Sequence, residues 1–348
     1  MGPSPERSGG IATWIRLVRG GLIARGLQPR VFATDKPRPR TAPLPLRLAG
    51  GATMAARFRR YVHEDPPAVA HICCGSGWGL REAGVLARVA KGAGSAAVIH
   101  LHAASLFERM DRSPADRRWS LAALSVADRV AVLGPRFVSG LAARGFLGAV
   151  VVPNGVPVPQ SVQSTPPPSI PLRILLLGSV EDRKGLQELI GALEGLTDDE
   201  RARLTVRWCG PILAPSDQVE RGRRAGICFV GSVSAERVEA ELVACHGVLL
   251  PSHREGLPFA VLEAMARSRP VIASSVGALP DLLEAESLVP PGDVGALQSA
   301  LRGWLSDPAD LVERGRKSRV RVQTGNTLIH TLNALESLWS PWLARERR

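Results

Sequence analysis

The segment from Cys245 to Asp281 constrains the fold more than any other part of the chain. Its apolar run at 246–252 is followed by a short loop, a helical pattern with an apolar face, and a second apolar run at 271–273. Two short buried strands joined by one helix are typical of a parallel crossover unit. Such units bind ligands at the carboxyl ends of their strands, where Glu255 and Glu263 are expected to lie.

Alternating strand and helix patterns continue on both sides of this segment and predict an α/β protein with parallel sheets. The length of 348 residues allows two domains. Residues 157–171 contain six prolines among serine and glutamine, which is typical of a stiff linker. We therefore predict an N-terminal domain at 1–156, a linker at 157–171, a C-terminal domain at 172–325 and a last amphipathic helix at 326–348.

Composition limits the setting and the partners. The formal net charge of +12 favours anionic partners such as an acidic membrane surface. Only four of the 44 basic residues are lysines, so the excess of arginine resembles a coding bias and weakens an argument from charge alone. Because only 4% of residues are aromatic and no basic run is interleaved with stacking rings, we expect no nucleic-acid partner. Five cysteines without framework or zinc-site spacing, and no secretory or membrane-spanning run, predict a cytoplasmic protein.

The two glutamates of the opening segment first suggest a paired-carboxylate acid/base site, but their spacing does not aim both at one bond. A second interpretation fits better. Backbone amides around Gly256 and Leu257, with the dipole of the following helix, would form an anion site suited to a diphosphate. Glu263 could then accept hydrogen bonds from ribose hydroxyls, and Glu255 could meet hydroxyls at the far end of a nucleotide-sugar. The plain alternative is that both are ordinary solvated carboxylates.

Two further loops could bind phosphate. The loop at 178–185 follows an apolar run and precedes a helical pattern, and its cations Arg183 and Lys184 could neutralise a diphosphate. The alternative is a solvated, basic first helical turn. Gly9 and Gly10 precede another helical pattern and allow close backbone approach, which is a weaker signal because many helices begin this way.

Two histidines alternate along the predicted strand at 96–102. His100 and His102 therefore share one face of it, and His102 is at its carboxyl end, where a ligand crevice would open. His102 could donate to a sugar hydroxyl or to a departing phosphate. A metal pair would need a third ligand, and none is near in sequence. The alternative is that each is a satisfied interior histidine.

Taken together, these motifs resemble retaining glycosyltransferases of the GT-B fold, family 4, and in particular members that build bacterial exopolysaccharides. The resemblance rests on the Glu-x7-Glu spacing from Glu255 to Glu263, the loop with Gly178 and Lys184, and the segments at 152–156, 270–273 and 277–281. It implies two Rossmann-like β/α/β domains that face each other across a cleft. The last helix would cross back to the first domain, and its contact with the inner face of an anionic membrane is a weaker hypothesis.

The resemblance also implies roles for single residues. Glu263 would bind the ribose, Glu255 the donor sugar and Lys184 the diphosphate, while Gly10 would lie against the donor and His102 beside the reacting centre. The complete expected set is Gly9, Gly10, Ser179, Arg183, Lys184, Gly256, Leu257 and Glu263 for donor binding, with His102 and Glu255 as catalytic residues. By this resemblance no metal is expected, since cationic side chains and helix dipoles take its place. No other cofactor is expected, and the nucleotide-sugar is a co-substrate. A saccharide or lipid-linked saccharide would accept the sugar.

The chain departs from the family pattern in three places. Ser179 stands where the family usually has arginine, and Arg183 could supply that charge; Asp281 stands where glutamate is more usual. A first strand should precede Gly9, and residues 1–8 cannot supply it, so the first domain is expected to lack that strand. A start codon placed too late or a truncated protein would explain this. Downstream we expect a helix at 11–27, a strand at 30–33 and a loop at 35–50.

Two alternatives to a transferase remain at this point. One is a nucleotide-sugar epimerase of the same fold, which would need a histidine and a carboxylate set for proton transfer in the second domain. His253 is the only nearby candidate for that histidine. The other alternative is a truncated, non-catalytic protein that resembles a glycosyltransferase.

Overall fold

The chain forms two compact units. The first comprises Met1–Asn154 with Leu328–Arg348, and the second comprises Gly155–Thr327. The computed structural model describes residues 1–6, 9–34, 43–103, 105–160 and 170–346. Most of the predicted linker, at 161–169, and part of the predicted loop, at 35–42, lie outside the described residues.

The first unit is built on a parallel sheet whose described strands lie side by side in chain order. They are β1 (Val69–Cys74), β2 (Ala96–Leu101), β3 (Arg129–Val132) and β4 (Ala149–Val151). All six residues of β2 are buried, as expected for a parallel strand covered on both faces.

Seven described helices belong to this unit. They are α1 (Gly10–Ala24), α2 (Leu44–Glu64), α3 (Trp78–Gly92), α4 (Leu106–Arg112), α5 (Pro114–Leu124), α6 (Pro135–Ala142) and α15 (Leu328–Glu346). Helix α15 packs on α1 and buries Leu332, Leu335 and Trp339. The prediction of a loop at 35–50 is wrong from residue 44 onward, because Met54, Phe58 and Val62 recur at helical spacing and are buried.

Among the described residues, Met1 and Gly2 lie between β1 and the segment predicted as a strand at 30–33. The Gly2 N–H donates to the Phe32 carbonyl at 3.4 Å, and the Thr34 N–H donates to the Gly2 carbonyl at 2.8 Å. On the other side, the Cys73 N–H donates to the Met1 carbonyl at 2.9 Å. In place of the strand predicted at 30–33, the described residues form one parallel bridge between Gly2 and Ala33.

The second unit contains a six-stranded parallel sheet in the order β10-β9-β8-β5-β6-β7 among the described residues. The strands are β5 (Leu172–Leu177), β6 (Leu204–Cys209), β7 (Ile227–Gly231), β8 (Gly247–Leu250), β9 (Val271–Ser274) and β10 (Leu288–Val289). Successive strands are added on one side of β5 and then, from β8 onward, on its other side. The strand order therefore reverses between β5 and β8, and the carboxyl ends at such a reversal are where open α/β sheets bind ligands.

Helices cover this sheet on both faces. They are α7 (Leu186–Glu194), α8 (Asp198–Ala202), α9 (Ser216–Arg224), α10 (Ala235–Ala244), α11 (Phe259–Ala266), α12 (Leu279–Leu282), α13 (Val294–Ser306) and α14 (Asp310–Gly325). Alternate residues of β5, including Ile174 and Leu176, join Leu189 of α7 and Leu301 of α13 in one buried cluster. This packing fixes the directions in which the loops leave the strands.

No helix in the described part of the chain combines the length and the apolar character needed to cross a lipid bilayer.

Candidate active site

Lys184 and Glu255 form an ion pair where the strand order reverses. The Nζ atom of Lys184 lies 2.6 Å from Oε1 of Glu255, and the two side chains are only 15% and 10% exposed. Lys184 is in the loop after β5, and Glu255 is in the loop after β8. Sequence reasoning placed both residues in one site, and the structure brings them into direct contact. Their pairing with each other was not predicted.

Two glycines hold these loops close together. Gly185 has a positive φ of 82°, and a Cβ there would lie 2.0 Å from the Pro251 carbonyl oxygen. Gly277 has a φ of 58°, and a Cβ there would lie 2.2 Å from the Glu255 carbonyl oxygen. L-residues with a side chain rarely adopt such φ values, and neither position has space for one. The backbones of the loops after β5, β8 and β9 are thus packed against each other.

Glu181 links the two polar residues predicted in the loop after β5. It accepts a hydrogen bond of 2.5 Å from the Ser179 hydroxyl and pairs with the Arg183 guanidinium at 2.7 Å. Burial alone would raise the pKa of Glu181, but the Ser179 hydroxyl and the charges of Arg183 and Lys184 outweigh burial and hold the pKa below its usual range. Part of the positive charge expected from Arg183 is therefore balanced within the loop. Sequence reasoning missed Glu181, although it stands two residues before Arg183.

Helix α11 presents its N-terminus at the same edge of the sheet. Pro258 is its N-cap residue, Leu257 before it is buried, and the first-turn N–H groups point toward the loop that carries Glu255. The positive end of a helix dipole at this position favours an anion. Glu263 lies on the second turn of α11 and is partly exposed, among neighbours that are buried. Gly256, Leu257 and Glu263 are thus placed on one loop and helix.

His253 pairs with a carboxylate from another element. Its Nε2 atom lies 3.0 Å from Oε1 of Glu188 in the first turn of α7, and the two side chains are 38% and 14% exposed. The backbone N–H of His253 also donates to the backbone carbonyl of Arg183 at 3.0 Å. This is a histidine and carboxylate pair of the kind that the epimerase alternative requires, and only its histidine was identified from the sequence.

In the first unit, His102 lies in a cluster of aromatic and imidazole rings. Its ring centroid is 4.2 Å from that of His100 and 5.5 Å from that of Trp14. The Trp339 indole N–H donates to Nδ1 of His71 at 3.2 Å. In neutral His71 the hydrogen is therefore on Nε2. This N–H donates to Nδ1 of His100, also at 3.2 Å. The Nε2 atoms of His100 and His102 are buried without a hydrogen-bond partner among the described residues.

Cys73 joins this cluster, and its Sγ and one ring nitrogen each from His71 and His100 lie within 4.8 Å of one another. Such a set has the donor types of a zinc site. The Trp339 hydrogen bond opposes that use, because a metal on Nε2 of His71 would require the hydrogen on Nδ1, where it would face the indole N–H. The hydrogen-bond direction therefore describes a chain of neutral rings better than a metal site.

Acid should destabilise the first unit through these histidines. Burial holds the pKa of His71 and His100 well below the usual range and lowers that of His102 to about 3. The unfolded chain takes up these protons near pH 6.5, whereas the folded chain does so only at lower pH. The histidines therefore leave the free energy of unfolding undiminished above about pH 6.5 and lower it as the pH drops toward 3. At pH 5, His102 alone should account for a loss of about 2 kcal/mol.

Urea unfolding of the first unit, followed from pH 8 to pH 4, measures this effect. A His102→Phe variant should lose less stability between pH 7 and pH 5 than the wild type, by about 2 kcal/mol. His63→Phe provides the matched control, since it makes the same change at an exposed position on α2 and removes no ring from the cluster. Identical pH profiles for wild type and His102→Phe would contradict the assignment of a ring that its surroundings keep neutral.

Gly9 and Gly10 lie at the start of α1. Gly10 is its first residue and Gly9 its N-cap, with a φ of 129°. Both are exposed, and a Cβ on either would have no other atom within 4 Å. These two glycines and His102 belong to the first unit, whereas the other predicted site residues belong to the second.

The fold is that of the GT-B glycosyltransferases, and the predicted α/β architecture is confirmed. Over its whole length the chain superposes on sucrose-phosphate synthase from Thermosynechococcus elongatus, with a TM-score of 0.77, 20% identity, and coverage of 99% of this chain and 98% of that one. Anabaena HepE in complex with UDP gives a TM-score of 0.73 at 16% identity, with 98% of each chain covered.

Sequence comparisons also indicate glycosyltransferases. Residues 171–307 match the family model for glycosyl transferases group 1. Glycogen synthase of Mycobacterium tuberculosis is 27% identical over 186 residues, which is 51% of this chain and 45% of that protein. The O-antigen chain mannosyltransferase B of Escherichia coli is 30% identical over 173 residues, which is 47% of this chain and 45% of that protein. The predicted resemblance to glycosyltransferases is thus confirmed, although each match spans less than half of the relative.

Proposed function

We propose that this protein is a retaining, metal-independent glycosyltransferase that moves a sugar from a nucleotide-sugar to a saccharide or lipid-linked saccharide. The observation that carries this proposal is the buried pair of Lys184 and Glu255, which lies where the strand order reverses and beside the N-terminus of α11. A cation and a helix dipole at one point suit a diphosphate.

The chemistry needs charge stabilisation more than it needs a reactive side chain. The bond between the sugar C1 and the diphosphate oxygen breaks, the acceptor oxygen bonds to C1 on the same face, and the acceptor proton passes to the leaving diphosphate. Lys184 and the first-turn N–H groups of α11 would stabilise the negative charge that develops on the diphosphate. Their presence supports a reaction in which no metal is required.

The remaining residues would position the donor. Glu263 can accept hydrogen bonds from both ribose hydroxyls. Glu255 can accept hydrogen bonds from the donor sugar, while the ion pair with Lys184 holds the Glu255 side chain in place. His102 is neutral at physiological pH, because burial lowers its pKa to about 3, so it would act as a neutral ring and not as an imidazolium. Gly9 and Gly10 leave open space at the start of α1 in the first unit.

The setting that we propose is bacterial cell-surface polysaccharide synthesis, at the cytoplasmic side. The names of several relatives support it, among them a lipopolysaccharide core mannosyltransferase from Rhizobium leguminosarum and an amylovoran biosynthesis glycosyltransferase from Erwinia amylovora. Membrane contact through the last helix is not part of the proposal, because Leu332, Leu335 and Trp339 of α15 are buried.

Donor turnover tests the proposal. With a panel of UDP- and GDP-sugars, we expect release of free nucleoside diphosphate that requires a saccharide acceptor and is unaffected by EDTA. NMR of the product should show the anomeric configuration of the donor. Loss of turnover in EDTA would contradict metal independence, and no release with any donor and acceptor would support a non-catalytic protein.

An epimerase is the second candidate, because the His253 and Glu188 pair could exchange a proton. The names of the relatives are those of transferases and synthases, which favours transfer. Conversion of one nucleotide-sugar into another without an acceptor would support the epimerase instead.

A further inference from the structure

Arginine and tryptophan side chains alternate on the surface of the first unit. The Arg47 guanidinium carbon lies 4.4 Å from the centre of the Trp78 ring, and that of Arg81 lies 5.5 Å from the centre of the Trp119 ring. Trp78 and Arg81 are three residues apart on α3, so they share a face of that helix. These four residues, from α2, α3 and α5, form one row, which we call the Arg/Trp row.

Trp119 is the most telling member of the Arg/Trp row. All seven tryptophans of the chain lie among the described residues, and Trp119 alone is mostly exposed, at 60%. A large exposed aromatic ring is unfavourable in water and marks a contact surface when it stands with other aromatic and arginine side chains. Most of the Trp119 surface remains available to a ligand, even though Arg81 lies over part of one face.

Carboxylates hold the Arg/Trp row in place without neutralising it. Asp116 accepts hydrogen bonds of 2.8 Å from both Arg81 and Arg109, and Glu82 accepts one of 2.6 Å from the Trp78 indole. Each guanidinium has five N–H groups, so most donors of Arg81 and Arg109 remain for another anion. Arg47, Arg81 and the neighbouring Arg109 together carry one more charge than the carboxylates Asp116 and Glu82.

The Arg/Trp row also lies at the functional edge of its sheet. Trp78 is the first residue of α3, and only three residues separate it from the carboxyl end of β1. Asp116 lies in the first turn of α5. Ligands of open parallel sheets bind at this edge. The same unit carries Gly9, Gly10 and His102, which are among the site residues predicted from the sequence.

We propose that the Arg/Trp row binds an acidic saccharide, which is the acceptor of the transfer. The apolar face of a pyranose ring would stack on Trp119, and the guanidinium of Arg81 would bind the acidic group through paired N–H donors. That group is a carboxylate of a uronic acid or a phosphate of a sugar phosphate. That the saccharide is the acceptor rests on the proposed function. Its binding to the Arg/Trp row can be tested without turnover.

Calorimetric titrations with trigalacturonate, maltotriose and glucose 6-phosphate test the inference. At moderate salt, an acidic probe should bind about tenfold or more tightly than neutral maltotriose. Preference for trigalacturonate identifies a carboxylate, and preference for glucose 6-phosphate identifies a phosphate. Trp119→Ala and Arg81→Gln should each weaken binding of the preferred acidic probe by about tenfold.

Two controls match these variants. Arg118→Gln removes the same charge from an exposed position on α5, and Leu147→Ala removes an apolar side chain that is 80% exposed elsewhere in the first unit. Both should bind the acidic probe within about twofold of the wild type, because single surface changes outside a contact site have small effects. UDP binding by Trp119→Ala should equal that of the wild type, which separates this inference from the proposed function.

Equal affinity for the acidic and neutral probes would overturn the inference. Equal losses of affinity for the acidic probe in Arg81→Gln and Arg118→Gln would also overturn it, because they would indicate non-specific attraction to a positively charged surface. An oligothymidylate that bound as tightly as the acidic saccharide, with the same dependence on Trp119, would reassign the Arg/Trp row to single-stranded nucleic acid.

Discussion

A Lys184→Met variant is expected to lose affinity for a nucleoside diphosphate by about tenfold to a hundredfold, through loss of a charged hydrogen bond. It should also unfold more easily. Glu255 is only 10% exposed on its side chain, so removing Lys184 leaves a buried carboxylate without its cation. Breaking one side of such a pair costs about 3 kcal/mol. Calorimetry measures the affinity, and urea unfolding measures the stability of the second unit.

A second substitution separates these two effects. Lys184→Met combined with Glu255→Gln should recover much of the stability, because no uncompensated buried charge remains, but it should not recover nucleotide affinity. Lys317→Met, at an exposed position on α14, is the control and should change neither quantity. If Lys184→Met lost stability but bound nucleotide normally, the pair would be structural only.

Gly185→Ala should have the second large effect. The positive φ of 82° costs about 1 kcal/mol for alanine. In addition, the new Cβ would lie 2.0 Å from the Pro251 carbonyl oxygen, so the loops after β5 and β8 must move apart. We expect a loss of about 3 kcal/mol or more in stability and loss of measurable nucleotide binding, because Lys184 moves with its loop.

Gly226→Ala provides a matched control for Gly185→Ala. Its φ of 98° is also positive, but a Cβ there would meet no other atom within 4 Å. This variant should lose only about 1 kcal/mol and bind nucleotide normally. Equal losses in the two variants would show that backbone strain, and not the close approach of the loops, explains the effect.

The architecture of the second unit could be predicted well because its signals are local. The apolar run at 246–252 contains β8, the helix expected near Pro258 begins directly after it, and the run at 271–273 forms most of β9. The first unit was harder. Prolines and arginines around residue 40 suggested a loop, but burial of Met54, Phe58 and Val62 stabilises helix α2, and tertiary packing of that kind overrides local propensity.

The candidate site was predicted as a set of residues but not as a set of contacts. Lys184 and Glu255 were identified from loops that follow buried strands, yet 71 residues separate them, so no local pattern indicated their pairing. The same holds for His71 and Trp339, which are 268 residues apart. Glu181 was not predicted, since no sequence pattern indicates that it binds Ser179 and Arg183.

We expect a nucleotide-sugar to bind where the strand order of the second unit reverses. Calorimetric titration of UDP and GDP, each beside its nucleoside, into wild type, Lys184→Met and Glu263→Gln tests it most directly. Lys184→Met should weaken binding of the nucleoside diphosphate and leave binding of the nucleoside unchanged. Glu263→Gln should weaken binding of both by about tenfold, because both contain the ribose. Unchanged affinities in both variants, or a wild type that binds neither nucleotide, would contradict the claim.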